Sequence, residues 1–330
     1  MEPATGSAMD IDEHVRSKLP EGSKILTVSP SGKSEWVQTL RLHVQLIDGS
    51  TKSYFKKGAL GDRGREMMRG TFESEQTLYS FAPNNVPKPL AWGTYKNEPD
   101  NHFYMCDFYD ITDDLPEVGK FCATVAKIHK DSMGKSPNNQ YGFQVSTHLA
   151  YVANDNSWSD SWEAWYAKAL ERMLDEEVKS HGPDEELSLL TTAMFEKVIP
   201  RLLRPLETGG HQIQPCLIHS DLWPGNVKPD AVTHEPIILD SCAFWGHNEA
   251  DLGSWRAPRY RLGHSYMTEY HQHIPISAPV EDWDDRNALY AMRYDLLVSA
   301  LFPKEPQFRR LAMDEMKRLV DKYPGGYEAM

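Results

Sequence analysis

Polar and apolar side chains alternate along residues 39–46, where leucines and a valine occupy every second position. A period of two predicts a strand with one buried face. The sequence DGST at 48–51 predicts a hairpin turn into a second strand, SYFKK. Apolar residues then recur at helical spacing over 63–81, and prolines separate this helix from strand-like runs at 89–95 and 102–111. We therefore predict an antiparallel meander, one helix and further strands.

The apolar pattern changes to a helical period at Val118. Amphipathic stretches follow at 158–178, 187–206 and 282–322, and Pro200 interrupts the second of them. Strands collected before a run of helices predict an α+β fold with two lobes. The expected organisation is an N-terminal segment (1–24), a small antiparallel β-rich N-lobe with one helix (25–110), and a larger helical C-lobe (111–330).

Two short stretches, LIHSDLWPGNV and IILDSC, set polar residues directly after strand-like apolar runs. His219, Asp221 and Asn226 form H-x-D-x-x-x-x-N. In this spacing one loop presents a carboxylate to a substrate hydroxyl and an amide oxygen to Mg²⁺. Asp240 supplies a second hard oxygen ligand. Taken alone, an H-x-D sequence indicates a buried pair that shapes a turn about as often as a catalytic loop.

The N-terminal part supplies complementary charges. Lys56 follows two aromatic residues in SYFKK, and Glu75 lies about one helix later. They match the strand lysine and helix glutamate that position the α and β phosphates in kinase-like enzymes. Lys57 is an equally plausible strand lysine. The sequence SPSGKSEW at 29–36 lies where a phosphate-covering loop belongs, but it is weak evidence because Ser/Gly turns are common in hairpins.

The composition of the chain disfavours several classes of protein. The 330 residues carry a net charge of −13, which disfavours nucleic-acid and anionic membrane partners. The chain has no run of about 18 apolar residues, as a membrane span would need. Its four cysteines are widely spaced without a C-x-x-C pair, which disfavours zinc and disulfide frameworks and favours a cytoplasmic location. We expect a cytoplasmic monomer or weak dimer.

Several motifs in order resemble those of the fructosamine kinase (ketosamine 3-kinase) family, which shares the aminoglycoside-phosphotransferase, protein-kinase-like fold. The motifs are LIHSDLWPGNV, ILDSCAFWGHNEADLG, YGF, WSDSWEAWY and YHQHIP, and the resemblance runs from about Ile25 to Tyr323. It implies a bilobal kinase-like fold with ATP and Mg²⁺ as cofactors. The implied reaction is phosphorylation of the sugar 3-hydroxyl of ketosamines, the fructosamine or ribulosamine adducts of free amines or protein lysines, as a step of deglycation.

The resemblance also implies a role for particular residues. It makes Asp221 the catalytic base, Asn226 and Asp240 the magnesium ligands, Lys56 and Glu75 the phosphate clamp, Met105, Cys106, Asp107 and Phe108 the hinge at the adenine, and Trp223 and His219 the residues on the substrate side. Asp251, in the motif GHNEADLG, is expected to anchor the catalytic loop by hydrogen bonds rather than to bind a metal.

The chain departs from the family pattern in both motifs. The family commonly has H-G-D-L-W-S-G-N and I-D-P-A, whereas this sequence places Ser220, Pro224 and Ser241 at three of those positions. None of these changes removes a titratable or metal-binding group. The acceptor pocket is not encoded in a readable motif, so a kinase of another amine-bearing or hydroxylated metabolite, such as an aminoglycoside or a choline-like compound, is an alternative. A nucleotide-binding scaffold without transferase activity is a third.

Overall fold

The structure is a computed structural model that describes residues 11–32 and 37–328. The main strands are β1 (Lys24–Pro30), β2 (Gln38–Gln45), β3 (Thr51–Leu60), β4 (Pro89–Thr94) and β5 (Asn101–Asp107), followed by the short strands β6 (His148–Leu149), β7 (Val152–Ala153), β8 (Cys216–Ile218), β9 (Val227–Pro229), β10 (Pro236–Ile238) and β11 (Phe244–Gly246). The helices are α1 (Glu13–Arg16), α2 (Gly61–Phe81), α3 (Val118–Ser132), α4 (Trp162–His181), α5 (Glu185–Ala193), α6 (Ile199–Leu203), α7 (Gly263–His273), α8 (Trp283–Leu301) and α9 (Pro306–Lys322).

The first five strands form one antiparallel sheet in the order β1-β2-β3-β5-β4. The predicted hairpin sets its register, because Gln45 pairs with Thr51 across the turn and Leu40 therefore pairs with Lys56. Side chains alternate between the two faces of a strand. One face buries an apolar cluster with α1, including Leu42 and Val44, and the other face packs against α2.

The helical part has a single large apolar core in which α4 and α8 lie side by side. Trp162 and Trp165 of α4 are fully buried there, with their rings stacked and their centroids 5.5 Å apart. The indole N–H of Trp162 donates to the hydroxyl of Tyr290 on α8 at 2.9 Å. These tryptophans are therefore core residues, as their helical spacing favours.

The short strands β8 to β11 form two two-stranded sheets. Strand β8 pairs with β11, and β9 pairs with β10, all antiparallel. Consequently the loop that joins β8 to β9 and the loop that joins β10 to β11 emerge beside each other. The two polar motifs, separated by about 20 residues in the sequence, are brought together by this pairing.

The predicted α+β architecture is confirmed, with an antiparallel sheet followed by helices. The sequence pattern did not predict that β5 would insert between β3 and β4. The long stretch over 187–206 is divided into α5, a π-helical turn (Met194–Val198) and α6, and Pro200 directly follows the first residue of α6. No helix among residues 11–32 and 37–328 has the length and hydrophobicity of a membrane span.

Candidate active site

A cleft of about 890 Å³ separates the five-stranded sheet from the helical part. It is lined from the sheet side by Phe55, Lys57, Glu75, Tyr104, Cys106, Asp107 and Phe108, and from the helical side by Asp221, Trp223, Asn226, Asp240, Tyr260, Tyr294, Val298, Leu301 and Phe302, among others. Lys57 is the single cationic side chain among the described residues of the lining, whereas five carboxylates line it. The cleft is therefore strongly acidic.

Asp221 lies in the loop between β8 and β9 and faces the cleft. The amide of Asn226 donates to the Asp221 carboxylate at 2.7 Å and to its carbonyl oxygen at 3.0 Å, which closes the loop on itself. Burial, reinforced by the nearby charge of Asp240, raises the pKa of Asp221 to about 7. A carboxyl group with a pKa near neutrality has the proton affinity that general base catalysis requires.

His219 is buried and bridges the two motif loops instead of reaching the cleft. Its Nδ1 accepts the backbone N–H of Asp221 at 3.1 Å, and its Nε2 lies 2.9 Å from the carbonyl oxygen of Leu239. This pattern requires a proton on Nε2, and burial lowers the pKa of the imidazole, which favours the neutral ring. The expectation that His219 lies on the substrate side is therefore wrong, because both ring nitrogens bond to the protein.

Asp251 fixes the start of the same loop. Its carboxylate accepts the backbone N–H of His219 at 2.8 Å and that of Ser220 at 2.5 Å. The ring of His129 on α3 lies 3.1 Å from the same carboxylate. The expected anchoring role of Asp251 is confirmed. Asp251, His129, His219 and Ser220 are all buried.

Asp240 follows β10 and extends into the cleft with 60% of its side chain exposed. The ammonium of Lys57, on β3, forms an ion pair with its carboxylate across the cleft. Desolvation opposes ionisation of Asp240, but Lys57 outweighs it and holds the pKa of the carboxyl below its usual value. This ion pair connects the sheet to the helical part at the centre of the site.

The lysine at the cleft is Lys57, so the placement expected for Lys56 is wrong. Lys56 pairs with Leu40 and Met105 in the sheet and lies on the opposite face, where it is 1% exposed. Its Nζ has no hydrogen-bond partner among the described residues and lies 4.8 Å from the ring centroid of Tyr95. Burial lowers the pKa of Lys56 to about 8, because an unpaired ammonium group is destabilised in an apolar cluster.

Glu75 does not form the expected ion pair with Lys56. It is buried on α2, where its carboxylate accepts the backbone N–H of Ser241 at 2.8 Å and the hydroxyl of Ser241 at 3.1 Å. The neighbouring Ser74 hydroxyl lies 2.6 Å from the same Ser241 hydroxyl. Burial raises the pKa of Glu75 to about 7. Glu75 thus holds the loop that carries Asp240, and no bond between Glu75 and Lys57 is formed.

The residues expected to form the hinge, 105–108, do not all face the cleft, because side chains along β5 alternate between the two faces of the sheet. Cys106, Asp107 and Phe108 line the cleft, whereas the side chain of Met105 is buried in the cluster on the opposite face. The expected phosphate-covering loop contributes Ser31 and Gly32 to the lining, and its tip at residues 33–36 lies outside the described part of the chain.

Trp223 lies at the cleft with about a third of its surface exposed. Its ring centroid is 5.6 Å from that of Tyr260, so the two residues form an aromatic pair. A Cβ atom added to Gly225 would lie 2.2 Å from the Trp223 ring, which explains why a glycine follows Pro224. Tyr260 carries no motif signal, and sequence reasoning missed it.

The donor set fits a magnesium ion. Asp221, Asn226 and Asp240 all line one part of the cleft, and each offers a hard oxygen donor of the kind that Mg²⁺ prefers. Asp240 also contributes to the raised pKa of Asp221, a repulsion that a divalent cation between the carboxylates would relieve. No group of three or more His, Cys, Asp or Glu side chains in the described ranges could hold a metal ion.

Solved structures define the class of fold. The chain aligns with a provisionally assigned fructosamine-3-kinase of Thermobifida fusca at a TM-score of 0.68 and 20% identity, with 91% of this chain and 95% of that chain covered. It also aligns with a mutant aminoglycoside phosphotransferase in complex with AMP-PNP and hygromycin B at a TM-score of 0.61 and 13% identity, with coverage of 96% and 99%. The fold is therefore that of the kinase-like aminoglycoside phosphotransferases.

The fructosamine kinase family profile matches residues 24–322, so the chain belongs to that family. A curated relative from Arabidopsis thaliana, the chloroplastic protein-ribulosamine 3-kinase, is 29% identical over 241 residues, which represent 69% of this chain. The match spans 65% of the length of that relative. The family resemblance noted in the sequence motifs is thus confirmed.

Replacement of Lys56 with methionine is expected to stabilise the protein. The side chains are similar in length, and the change removes a buried amine that has no partner. Because the folded-state pKa is about 8 against an ordinary 10.5, the penalty is full below pH 8 and disappears as the pH rises toward 10.5. The full shift corresponds to about 3 kcal/mol of stability.

The measurement is the thermal unfolding temperature of wild type and Lys56→Met at pH 7 and pH 10. The variant should unfold several degrees higher at pH 7, with a smaller difference at pH 10. An equal or lower unfolding temperature at pH 7 would show that Lys56 has a stabilising partner in the folded state.

Proposed function

We propose that this protein is an ATP-dependent kinase that phosphorylates the sugar 3-hydroxyl of ketosamines, the ribulosamine and fructosamine adducts of amines or protein lysines. The observation that carries the proposal is the convergence of Lys57, Asp221, Asn226 and Asp240 on one cleft. Membership of the fructosamine kinase family and the name of the Arabidopsis relative support the acceptor class.

In the proposed reaction, Asp221 orients the acceptor hydroxyl and accepts its proton. The hydroxyl oxygen forms a bond to the γ-phosphorus of ATP, the bond from that phosphorus to the β-phosphate oxygen breaks, and ADP leaves. Alignment of the hydroxyl with the phosphorus is the principal contribution of the protein to phosphoryl transfer. The amide of Asn226 donates to Asp221, and the His219 ring and the Asp251 carboxylate accept backbone N–H groups of this loop, which supports that alignment.

Lys57 is proposed to bind the phosphates from the sheet side, in place of Lys56. Asn226 and Asp240 would hold Mg²⁺, which when bound neutralises phosphate charge and orients the phosphates. An acidic cleft with one lysine would repel a triphosphate, which supports the proposal that a divalent cation accompanies the nucleotide. Cys106, Asp107 and Phe108 would contact the adenine, and Glu75 would hold the metal-binding loop through Ser241.

The acceptor is proposed to lie between Trp223, Tyr260 and the C-terminal end of α8. This part of the cleft is lined by aromatic and aliphatic side chains, including Val298, Leu301 and Phe302. None of these five side chains carries a carboxylate. A polycationic aminoglycoside needs several carboxylates to pair its ammonium groups, whereas a sugar can pack its apolar face on an aromatic ring.

We also propose a cytoplasmic location and a monomeric or weakly dimeric state. All four cysteines are buried free thiols, which agrees with a reducing compartment.

The direct test of function is ADP release with Mg-ATP and one acceptor at a time, using ribulosyl-lysine, fructosyl-lysine and an aminoglycoside. We expect turnover with at least one ketosamine and none above background with the aminoglycoside. Turnover with the aminoglycoside alone would replace the proposed substrate class. Binding of Mg-ATP without ADP release for any acceptor would indicate a nucleotide-binding scaffold.

Replacement of Asp221 with asparagine should reduce kcat by about a hundredfold or more, because the amide has the same shape but cannot accept the hydroxyl proton. The affinity for Mg-ATP should change little. Steady-state kinetics with ribulosyl-lysine and nucleotide titration together provide the measurement. Unchanged kcat would exclude Asp221 as the base.

The two adjacent lysines offer a matched pair for the nucleotide site. Lys57→Met should weaken Mg-ATP binding by about tenfold or more, because it removes the lysine of the cleft, whereas Lys56→Met should leave binding close to that of wild type. Asp240→Ala should weaken nucleotide binding only in the presence of Mg²⁺. Isothermal titration with and without Mg²⁺ measures all three. A larger loss in Lys56→Met than in Lys57→Met would reverse the assignment.

A further inference from the structure

Ser220 has a backbone conformation that residues other than glycine seldom adopt. It lies between His219 and Asp221 with φ of +67°, in the left-handed region. Such a conformation costs a non-glycine residue roughly 1 kcal/mol and persists only when surrounding contacts hold it. The backbone N–H of Ser220 is bonded to Asp251, and its carbonyl oxygen accepts the hydroxyl of Tyr294 at 3.1 Å.

The hydroxyl of Ser220 is held by a buried arginine. One guanidinium nitrogen of Arg293, on α8, donates to Ser220 Oγ at 2.6 Å, and another donates to Asn154 Oδ1 at 2.6 Å. Arg293 is 4% exposed, and Ser220 is fully buried. Asn154 is itself fixed, because its backbone N–H and its amide both donate to Thr147.

Arg293 differs from the other buried arginine of α8, which is Arg286. Arg286 forms an ion pair with Glu249 at 2.8 Å, the arrangement expected for a structural buried charge. Arg293 forms no ion pair within the described residues and instead lies 5.5 Å from the ring centroid of Phe244. Burial of a charge that has no ion-pair partner is expensive. The guanidinium of Arg293 is fixed by its two short hydrogen bonds, one of which ends on the residue next to Asp221, and its charge also acts on Asp221 by lowering the pKa of that carboxyl.

We propose that Arg293 is a positioning residue for phosphoryl transfer, which acts by holding Ser220 Oγ and thereby fixing the turn that aims the Asp221 carboxylate at the acceptor hydroxyl. A displacement of about 1 Å at a reacting group can reduce a rate by about a hundredfold. Arg293 does not line the cleft, so it acts through the loop and not on the substrate. The proposal rests on the proposed kinase function.

The test is a double-mutant cycle with Ser220→Ala, Arg293→Met and the combined variant. Each single variant should lower kcat for ribulosyl-lysine by about tenfold or more, with KM for ATP within about twofold of wild type. The combined variant should be no slower than the slower single variant, because both changes remove the same hydrogen bond. Arg286→Lys serves as the control on the same helix, and its effect should multiply with that of Ser220→Ala.

Multiplicative effects of Ser220→Ala and Arg293→Met would overturn the proposal, as would unchanged kcat in either single variant. If Arg293→Met does not fold, Arg293→Lys replaces it in the same cycle, because one ammonium cannot reproduce both short bonds. Loss of activity with an equal rise in KM for ATP would indicate general distortion of the cleft and would likewise reject a positioning role.

Hydrogen exchange on the full chain separates this proposal from the proposed function, since it needs neither substrate nor turnover. Ser220→Ala and Arg293→Met should increase deuterium uptake in the peptide covering 217–227 while leaving α8 and α9 protected. Unchanged uptake there, or increased uptake across the helical part, would overturn the proposal. If wild type releases no ADP with any ketosamine, the proposed function fails, and the exchange result alone decides whether Arg293 fixes the loop.

Discussion

The arrangement of the site depends on one buried carboxylate. Asp251 accepts two consecutive backbone N–H groups, from His219 and Ser220, and a charged acceptor makes such bonds stronger than neutral ones. Nδ1 of His219 accepts the N–H of Asp221, and Nε2 of the same ring is bonded to the carbonyl oxygen of Leu239, at the start of the second loop. The backbone N–H groups of His219, Ser220 and Asp221 are thereby bonded before a ligand arrives. A loop with free backbone groups would have to become ordered during binding, at an entropic cost.

The positions of Asp221 and Asp240 on these two loops also account for the different pKa shifts of the two carboxyl groups. The charge of Asp240 acts on Asp221, and Lys57 is paired with Asp240 and not with Asp221. The two carboxyl groups therefore differ in proton affinity, since the pKa of Asp221 is raised and that of Asp240 is lowered. Such a division suits one group to accept a proton and the other to remain a charged ligand.

The sequence predicted the fold and both motif loops because these depend on local patterns. It did not place the lysine correctly, although the necessary information was present. The turn at 48–51 fixes the register of the hairpin, so Lys56 must share a face with Leu40, Leu42 and Val44. A shift of one position along a strand moves a side chain to the other face. The contacts of Tyr260 and Arg293 depend on how distant helices pack, and no short motif encodes that packing.

The departures from the family motifs are matched by contacts elsewhere in this chain. A proline at position 241 would have no N–H, whereas Ser241 offers both an N–H and a hydroxyl, and Glu75 accepts both. The Oε1 atom of Glu75 is bonded to Ser241, and the ion pair of Lys57 is formed with Asp240 instead. Likewise, Ser220 replaces a residue suited to positive φ, and Arg293 and Tyr294 bond to its hydroxyl and carbonyl oxygens. Both loops are thus held by side chains of α2 and α8, so the positions of Asp221 and Asp240 depend on the packing of those two helices.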